Sequence, residues 1–517
     1  MEPQDVNDAE AVKQGWEFLK QENFQCSFAW WDRALELNPQ HSEAYNGKAT
    51  ALGKLGRHDE ALESFDKAIQ MNPEDVHSHF NKGALLQSLG RCEEALECCD
   101  KVIQINPQDE HVHKNKASAL EKLGRHEEAL ECFDKALQIN PQDADTFNDR
   151  GIALGKLNRY QKALECCEKA LEVDPQHAKA YYGKGTYLGN LGRHQEALEY
   201  FDEAIRINPQ YADAYISKAG FLQYLGQYQE ALECCDKAIQ INPHDSQCIA
   251  AAYNNKGASF GNLSRNQEAL ECFDKAIQAN PQDASAYTNK VPLLKRLGRD
   301  QDVLQCYEKA IMTNPKDDEA YIGKISALGD LGRYQEALDC CDKAIEKNPH
   351  SAQVYNGKAT FLHNLGRHEE ALVCFDKAIQ IDPQDADMHT GKGASLSSLG
   401  RHPESLACFD KAIEINPQDT DALIIKGSIL GNLDRHQEAL QCYEEALEIN
   451  PQDSNAYNGK GVCLGKLGRF QHGLQCLEKA IQINPHDADA LRYKITFLQH
   501  LGRRQEALDC YNKAMNP

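Results

Sequence analysis

A segment of 34 residues recurs along this chain, and the repetition limits its fold more than any other feature. The copy from Ser42 to Asp75 reads SEAYNGKATALGKLGRHDEALESFDKAIQMNPED, and close copies follow at nearly constant spacing through most of the 517 residues. A continuous repeat of fixed period is typical of an elongated array in which each unit packs against its neighbours. The sequence therefore predicts one array rather than several globular domains.

Each copy has the apolar pattern of two short helices. Tyr45, Ala49 and Leu52 recur at helical spacing in the first half, and the second half repeats this spacing. Gly56 lies between the halves, where a left-handed residue ends a helix, and Pro73 stops the second helix. We predict one helical hairpin per copy. A lone hairpin buries too little apolar surface to offset the entropy of ordering it, so we expect stacking to stabilise the array.

The small–large–small pattern around Phe65, the turn glycine Gly56, the terminating Pro73 and the period of 34 residues together resemble the tetratricopeptide repeat family. The resemblance covers about residues 8–517. It implies an all-α fold, a right-handed superhelix of about 15 repeats. Such arrays bind protein or peptide segments, usually in a concave groove lined by the first helix of each repeat.

The spacing of the repeats divides the chain into four parts. These are an N-terminal extension at residues 1–7, repeats 1 to 7 at residues 8–245, a four-residue insertion at residues 246–249, and repeats 8 to 15 at residues 250–517. Because four residues are about one helical turn, the insertion is expected to lengthen the following helix. Pro292 falls inside a predicted first helix, and we expect a soft or kinked joint between about Ser246 and Asn348.

The two terminal copies differ from the others. The first is degenerate and holds Trp16, Trp30 and Trp31, which either cap the stack or form an aromatic docking patch. The last copy is short and stops at Asn516-Pro517, without the extra polar helix that ends many members of the family. Either this end associates with itself through an uncovered apolar face, or the sequence is a fragment.

Acidic residues outnumber basic ones by 79 to 56. This balance argues against nucleic acid or an anionic membrane as the main partner, because phosphate binding needs clustered Lys and Arg. Basic or neutral protein segments are therefore the expected partners. No apolar run approaches the ~18 residues of a membrane span, and the acidic opening residues do not resemble a signal peptide. We predict a cytoplasmic protein.

Several residue types recur once per repeat, which favours an architectural role over a chemical one. Most of the 20 cysteines share one column and are expected to be too far apart for disulfides, so we predict reduced thiols. A lysine column that begins at Lys48 is expected to pack its stems between helices with the ammonium groups at the edge. No nucleophile, base or metal-ligand set stands out from the repeats. We expect neither a cofactor nor an enzyme.

The predicted groove is lined mostly by small and polar residues, with one exception. Aromatic and aliphatic side chains gather at Tyr182, Thr186 and Asn190 in one copy and at Ile216, Gln223 and Tyr224 in the next. Such clusters are typical of interface hot spots, and we predict that this patch contacts a partner; ordinary variation at exposed sites is the alternative. The carboxylate clamp of chaperone-binding relatives is not reproduced, since Ser118 stands four residues after Lys114 where the clamp has asparagine. The leading hypothesis is a protein-binding scaffold, and the alternative is a structural protein that self-associates through its terminal repeats.

Overall fold

A computed structural model describes residues 7–515 of the chain, with side chains as far as Tyr511. Within that range the chain forms 30 helices and no strand. The predicted N-terminal extension, apart from Asn7, and the predicted terminator Asn516-Pro517 lie outside the described residues. Residue contacts divide the chain into two compact units, with the boundary between Ala279 and Asn280. The helices alternate between a first and a second helix of successive hairpins.

Unit 1 contains sixteen helices. They are α1 (Asp8–Lys20), α2 (Phe24–Leu37), α3 (Ser42–Lys54), α4 (His58–Met71), α5 (Val76–Ser88), α6 (Cys92–Ile105), α7 (Glu110–Lys122), α8 (His126–Ile139), α9 (Ala144–Lys156), α10 (Tyr160–Val173), α11 (Ala178–Asn190), α12 (His194–Ile207), α13 (Ala212–Tyr224), α14 (Tyr228–Ile241), α15 (Ser246–Asn262) and α16 (Asn266–Ala279).

Unit 2 contains the other helices of the described chain. They are α17 (Ala284–Arg296), α18 (Asp300–Thr313), α19 (Asp318–Asp330), α20 (Tyr334–Lys347), α21 (Ala352–Asn364), α22 (His368–Ile381), α23 (Ala386–Ser398), α24 (His402–Ile415), α25 (Thr420–Asn432), α26 (His436–Ile449), α27 (Ser454–Lys466), α28 (Phe470–Ile483), α29 (Ala488–His500) and α30 (Arg504–Met515).

Local interactions fix the turn within a hairpin and the start of the next hairpin. At the turn, Gly56 has a φ of 77°, and the backbone N–H of Arg57 donates to the carbonyl of Leu52 at 3.0 Å, which closes the end of α3. At the start of α5, the Asp75 carboxylate accepts the backbone N–H of His77. The same turn is built without glycine at Glu22, Asn158, Ser264 and Asp434, which all adopt a positive φ.

Stacking of hairpins is closest on the side of the first helices. Within each unit, the second helix of a hairpin packs against the first helix of the next hairpin, as α6 does on α7. Neighbouring first helices also contact one another directly, including α9 with α11 and α13 with α15. The first helices therefore form the inner side of each stack, and the second helices form the outer side.

The first hairpin uses its tryptophans in packing. Trp31 is fully buried and lies against Gly15 and Gly47, where an added Cβ would come within 2.6 Å and 2.4 Å of the indole. The Trp16 ring meets it edge-on at 5.2 Å, and its Nε1 donates to Glu43.

Two irregularities fall in the stretch for which a soft joint was predicted. Helix α15 has 17 residues, whereas the following first helix α17 has 13. Pro292 lies inside α17, which remains one helix. The softness of this stretch stays a prediction. None of the helices in the described chain has the length and apolarity of a membrane span.

Candidate functional site

The inner side of unit 1 carries the predicted partner-binding residues. We call this surface the unit 1 groove; it is formed by the inward-facing residues of α3, α5, α7, α9, α11, α13 and α15. Two cavities open on it. Each lies between neighbouring first helices, and each is centred on a glycine in the last turn of the earlier helix.

The Gly53 pocket lies between α3 and α5 and has a volume of about 370 Å³. Its apolar walls come from Ala49, Phe65, Ala84 and Leu85, and its polar residues are Thr50, Lys54, His58, Asn81 and Ser88. The Nδ1 atom of His58 is buried and has no hydrogen-bond partner among the described atoms.

The Gly155 pocket lies between α9 and α11 and has a volume of about 390 Å³. Ile152 and the rings of Tyr160, Tyr182, Tyr187 and Tyr211 form most of its wall, and Asn148, Lys156, Lys179, Gly183, Thr186 and Asn190 complete it. The Tyr182 ring packs 5.1 Å from Tyr211. Burial raises the pKa of Tyr187, so this phenol stays neutral and can donate a hydrogen bond.

Some neighbouring hairpins are fitted to each other by side-chain size, with a glycine on one first helix opposite a large side chain on the next. An added Cβ at Gly155 would lie 2.6 Å from the Tyr187 ring, so the ring of one hairpin occupies the space left by the glycine of the hairpin before it. Phe221 stands in the same relation to Gly189, whereas an added Cβ at Gly53 would meet Leu85 only at 3.7 Å, an ordinary van der Waals contact. Where the glycine is replaced by a larger residue, its neighbour is small: Gln223 donates to Ser259 at 2.9 Å.

The structure brings three of the six predicted site residues into one pocket. Tyr182, Thr186 and Asn190 all line the Gly155 pocket, and the Tyr182 hydroxyl lies 3.2 Å from the hydroxyl of Ser217. The Thr186 hydroxyl donates to the carbonyl of Tyr182, and the Asn190 amide donates to the carbonyl of Thr186.

The other three predicted residues lie on α13, outside that pocket. Ile216 packs partly into the core beside α14, and Gln223 is bonded to α15. Tyr224 is 76% exposed, with its ring 4.4 Å from that of His194. Sequence reasoning missed Tyr187 because its spacing is that of a core residue; the glycine one hairpin earlier was the signal that could have identified it.

The lysine column belongs to the outer edge, and its role is structural. Lys82, which is 23% exposed, lies 2.6 Å from the Asp66 carboxylate of the preceding second helix, 16 residues earlier. The same pairing links Lys116 to Asp100 and Arg150 to Asp134. These ion pairs tie hairpins together and leave the column's charge unavailable to the groove. Lys114 is likewise paired, at 2.6 Å, with Asp143.

Burial and spacing limit the chemistry open to the thiols and to the metal-ligating side chains of the described chain. The cysteines are free and mostly buried. Burial raises the pKa of the Cys99 thiol to about 12, which makes it a poor nucleophile at neutral pH. Within residues 7–511, no three side chains from His, Cys, Asp and Glu cluster as a metal site would require.

Comparison with protein families found matches to tetratricopeptide repeat models along both units. The matches cover residues 42–75, 77–109, 112–143, 148–212, 212–245, 250–283, 330–395, 386–419, 420–453 and 454–487. A search of curated proteins gave no match.

Comparison with solved structures gave several similar chains. One belongs to the APC/C hetero-tetramer Cut9–Hcn1, with 14% identity, a TM-score of 0.47, and coverage of 95% of this chain and 96% of that one. Another belongs to Naa15/Naa10 bound to HypK-THB, with 13% identity, a TM-score of 0.39, and coverage of 97% and 99%. A third is YrrB, described as a TPR protein with an unusual peptide-binding site, with 30% identity, a TM-score of 0.30, and coverage of 37% and 98%.

Proposed function

This chain belongs to the tetratricopeptide repeat family, whose arrays serve as protein-interaction scaffolds, and we propose that its unit 1 groove binds an extended segment of another protein. The observation that carries the proposal is the Gly155 pocket. It places three of the six predicted residues around one cavity of about 390 Å³, a size suited to a side chain of a partner.

The chemistry of the groove suits an extended backbone with apolar anchors. Rings from Tyr160, Tyr182 and Tyr187 supply apolar contact area, while the exposed Asn190 adds an amide group at the edge. Tyrosine contributes this area at low entropic cost, which is why it is frequent at interface hot spots. The family is typically non-catalytic, and the proposal assigns no reaction to the groove.

Selection of random twelve-residue peptides on the immobilised full chain tests the proposal. Thr186→Trp should fill the Gly155 pocket and weaken the selected peptides by at least about tenfold, the loss of one hot spot. Thr360→Trp is the matched control, because Thr360 in α21 makes the same bond to the carbonyl four residues earlier, at 3.0 Å. Circular dichroism should show both variants folded. Equal loss in both variants, or no loss in Thr186→Trp, would contradict the proposal.

Three sequence predictions remain predictions beside this proposal. Self-association through the terminal repeats is the alternative function, and light scattering over a range of concentrations would reveal it. Cytoplasmic location is testable by fractionation. The net charge of −23 predicts a basic or neutral partner, and peptides of opposite charge test this.

A further inference from the structure

The two pockets of the unit 1 groove carry cationic and neutral side chains only. Lys54 and His58 line the Gly53 pocket, and Lys156 and Lys179 line the Gly155 pocket; neither lining includes a carboxylate. Three cavities beside second helices of unit 2 carry mixed charge instead, since each is lined by two or three Lys or Arg side chains together with three carboxylates. The carboxylates are Glu444, Glu448 and Glu478 in one, Glu308, Glu336 and Asp339 in another, and Asp410, Glu438 and Glu445 in a third.

In unit 1 the acidic excess lies on the second helices and not on the first helices that form the groove. Every second helix from α2 to α16 has more acidic than basic residues, whereas each first helix from α3 to α15 has at least as many basic as acidic ones. Part of the basic charge is the outer lysine column, which is already paired. What remains in the groove is close to neutral overall and locally positive at the pockets.

Two of the pocket lysines are available to a ligand. Lys54 and Lys179 are exposed and make no ion pair within residues 7–511. Lys156 is partly neutralised, because its Nζ lies 2.9 Å from the Glu121 carboxylate. Asp149 is the acidic neighbour of Lys179; desolvation raises its pKa, and Lys179 opposes that rise.

A row of last-turn residues connects the pockets. From α3 to α9 this position holds Lys54, Ser88, Lys122 and Lys156, with no acidic residue among them. Lys122 donates to the carbonyl of Gln87, at 3.2 Å, across to the preceding first helix. The side chains of this row are basic or neutral, and the nearest carboxylate, that of Glu121, is already paired with Lys156.

We infer that the segment held in the unit 1 groove is acidic, with Asp or Glu residues beside apolar residues that enter the Gly53 and Gly155 pockets. This rests on the proposed function. Apolar side chains of the partner would pack against Phe65 and Leu85 in one pocket and against the tyrosines in the other. Burial of those partner side chains supplies the affinity. Carboxylates beside the anchors complement Lys54 and Lys179.

The separation of the pockets sets the minimum length of the partner segment. One lies between the second and third hairpins of unit 1 and the other between the fifth and sixth, three steps apart. With neighbouring helices about 9–10 Å apart, an extended chain of about eight or nine residues is needed to reach both.

The inference differs from the expectation based on net charge, for a physical reason. The acidic excess lies on the second helices, and salt screens it within about 8–10 Å. Net charge therefore affects the approach of a partner, whereas the side chains in contact decide which segment stays bound.

Fluorescence anisotropy with the full chain and three labelled twelve-residue peptides tests the inference. Each peptide has Leu at every third position, and the remaining positions are Asp, Ser or Lys. At about 50 mM salt the Asp peptide should bind at least about tenfold more tightly than the Lys peptide, and the difference should shrink at about 500 mM salt. Tighter binding of the Lys peptide, or no preference, would overturn the inference. So would the absence of binding by all three peptides at millimolar concentration.

Charge reversals locate the effect. Lys54→Glu and Lys179→Glu should each weaken the Asp peptide by about fivefold or more. Lys466→Glu is the control, because Lys466 is also exposed and stands at the position of Lys54 in unit 2. An equal effect of Lys466→Glu would overturn the inference. Thr186→Trp separates the two proposals. If the protein binds the Lys peptide most tightly and Thr186→Trp abolishes that binding, the groove function stands and the acidic preference falls. If Thr186→Trp affects the binding of no peptide, both proposals fall.

Discussion

Gly189→Ala tests whether successive hairpins are fitted to one another by side-chain size. An alanine Cβ at this position would lie 2.1 Å from Cζ of Phe221, far inside van der Waals contact. Displacing the ring costs about 1–3 kcal/mol, the range for an overpacked site. Alanine also favours a helix over glycine by about 1 kcal/mol. We therefore expect a net loss of up to about 2 kcal/mol of stability at this junction.

Two further variants make the experiment decisive. Gly220 is also helical, and an added Cβ there meets no atom within 4 Å, so Gly220→Ala should stabilise the array by about 0.5–1 kcal/mol. Phe221→Ala should cost about 2–3 kcal/mol, because it leaves a gap beside Gly189. In the double variant Gly189→Ala with Phe221→Ala, the new methyl group enters the vacated space. The double variant should therefore be less destabilised than the sum of the single variants by about 1–2 kcal/mol.

Native-state hydrogen exchange is the appropriate assay, because a long array need not unfold in one step. The exchange free energies of α11 to α14 report on the junction, and those of unit 2 serve as an internal reference. The reasoning would be refuted if Gly189→Ala stabilised the array as Gly220→Ala does. Additive effects in the double variant would refute it as well.

Three other predictions concern single features of the chain. Ser264→Gly should stabilise unit 1 by about 1 kcal/mol in urea denaturation, because Ser264 adopts a φ of 60°. Gly56→Ala should destabilise it by a similar amount, because Gly56 has a φ of 77°. A destabilising Ser264→Gly or a stabilising Gly56→Ala would contradict this. Cys26 is exposed, whereas Cys99 is buried and has a pKa of about 12, so the Cys99 thiol stays protonated through pH 8. Alkylation of Cys26, followed by mass spectrometry, should be at least about tenfold faster than alkylation of Cys99. Equal rates would contradict this prediction. Amides in residues 246–348 should exchange faster than those of the flanking repeats, and equal protection would exclude a soft joint.

The sequence was sufficient to predict the helical hairpins and their stacking. The period, the turn at Gly56 and the stop at Pro73 act locally, so short stretches of sequence specify them. The lysine column was also predictable as a structural feature, although its carboxylate partners, such as Asp66 for Lys82, follow only from the packing of neighbouring hairpins.

The candidate site was only partly predictable, because a pocket depends on pairs of residues from different hairpins. Tyr182 and Thr186 were identified from their positions on the predicted inner face of a first helix, but the cavity beside them opens towards α9 and includes Ile152. Gln223 was assigned to the surface patch, yet its amide is already bonded to Ser259 of the next first helix. The size fit between Gly155 and Tyr187 is visible in the sequence once the pairing of hairpins is known.

The most direct test of the central claim is to map where a bound peptide lies. A peptide selected on the full chain would carry a diazirine analogue of leucine at its apolar position, and the crosslinked residues would be identified by mass spectrometry. If the unit 1 groove binds the segment, crosslinks should fall on α3, α5, α9 and α11, with Thr186 or its neighbours among them. Crosslinks confined to second helices that contribute nothing to the two pockets, such as α12 and α14, would contradict the claim.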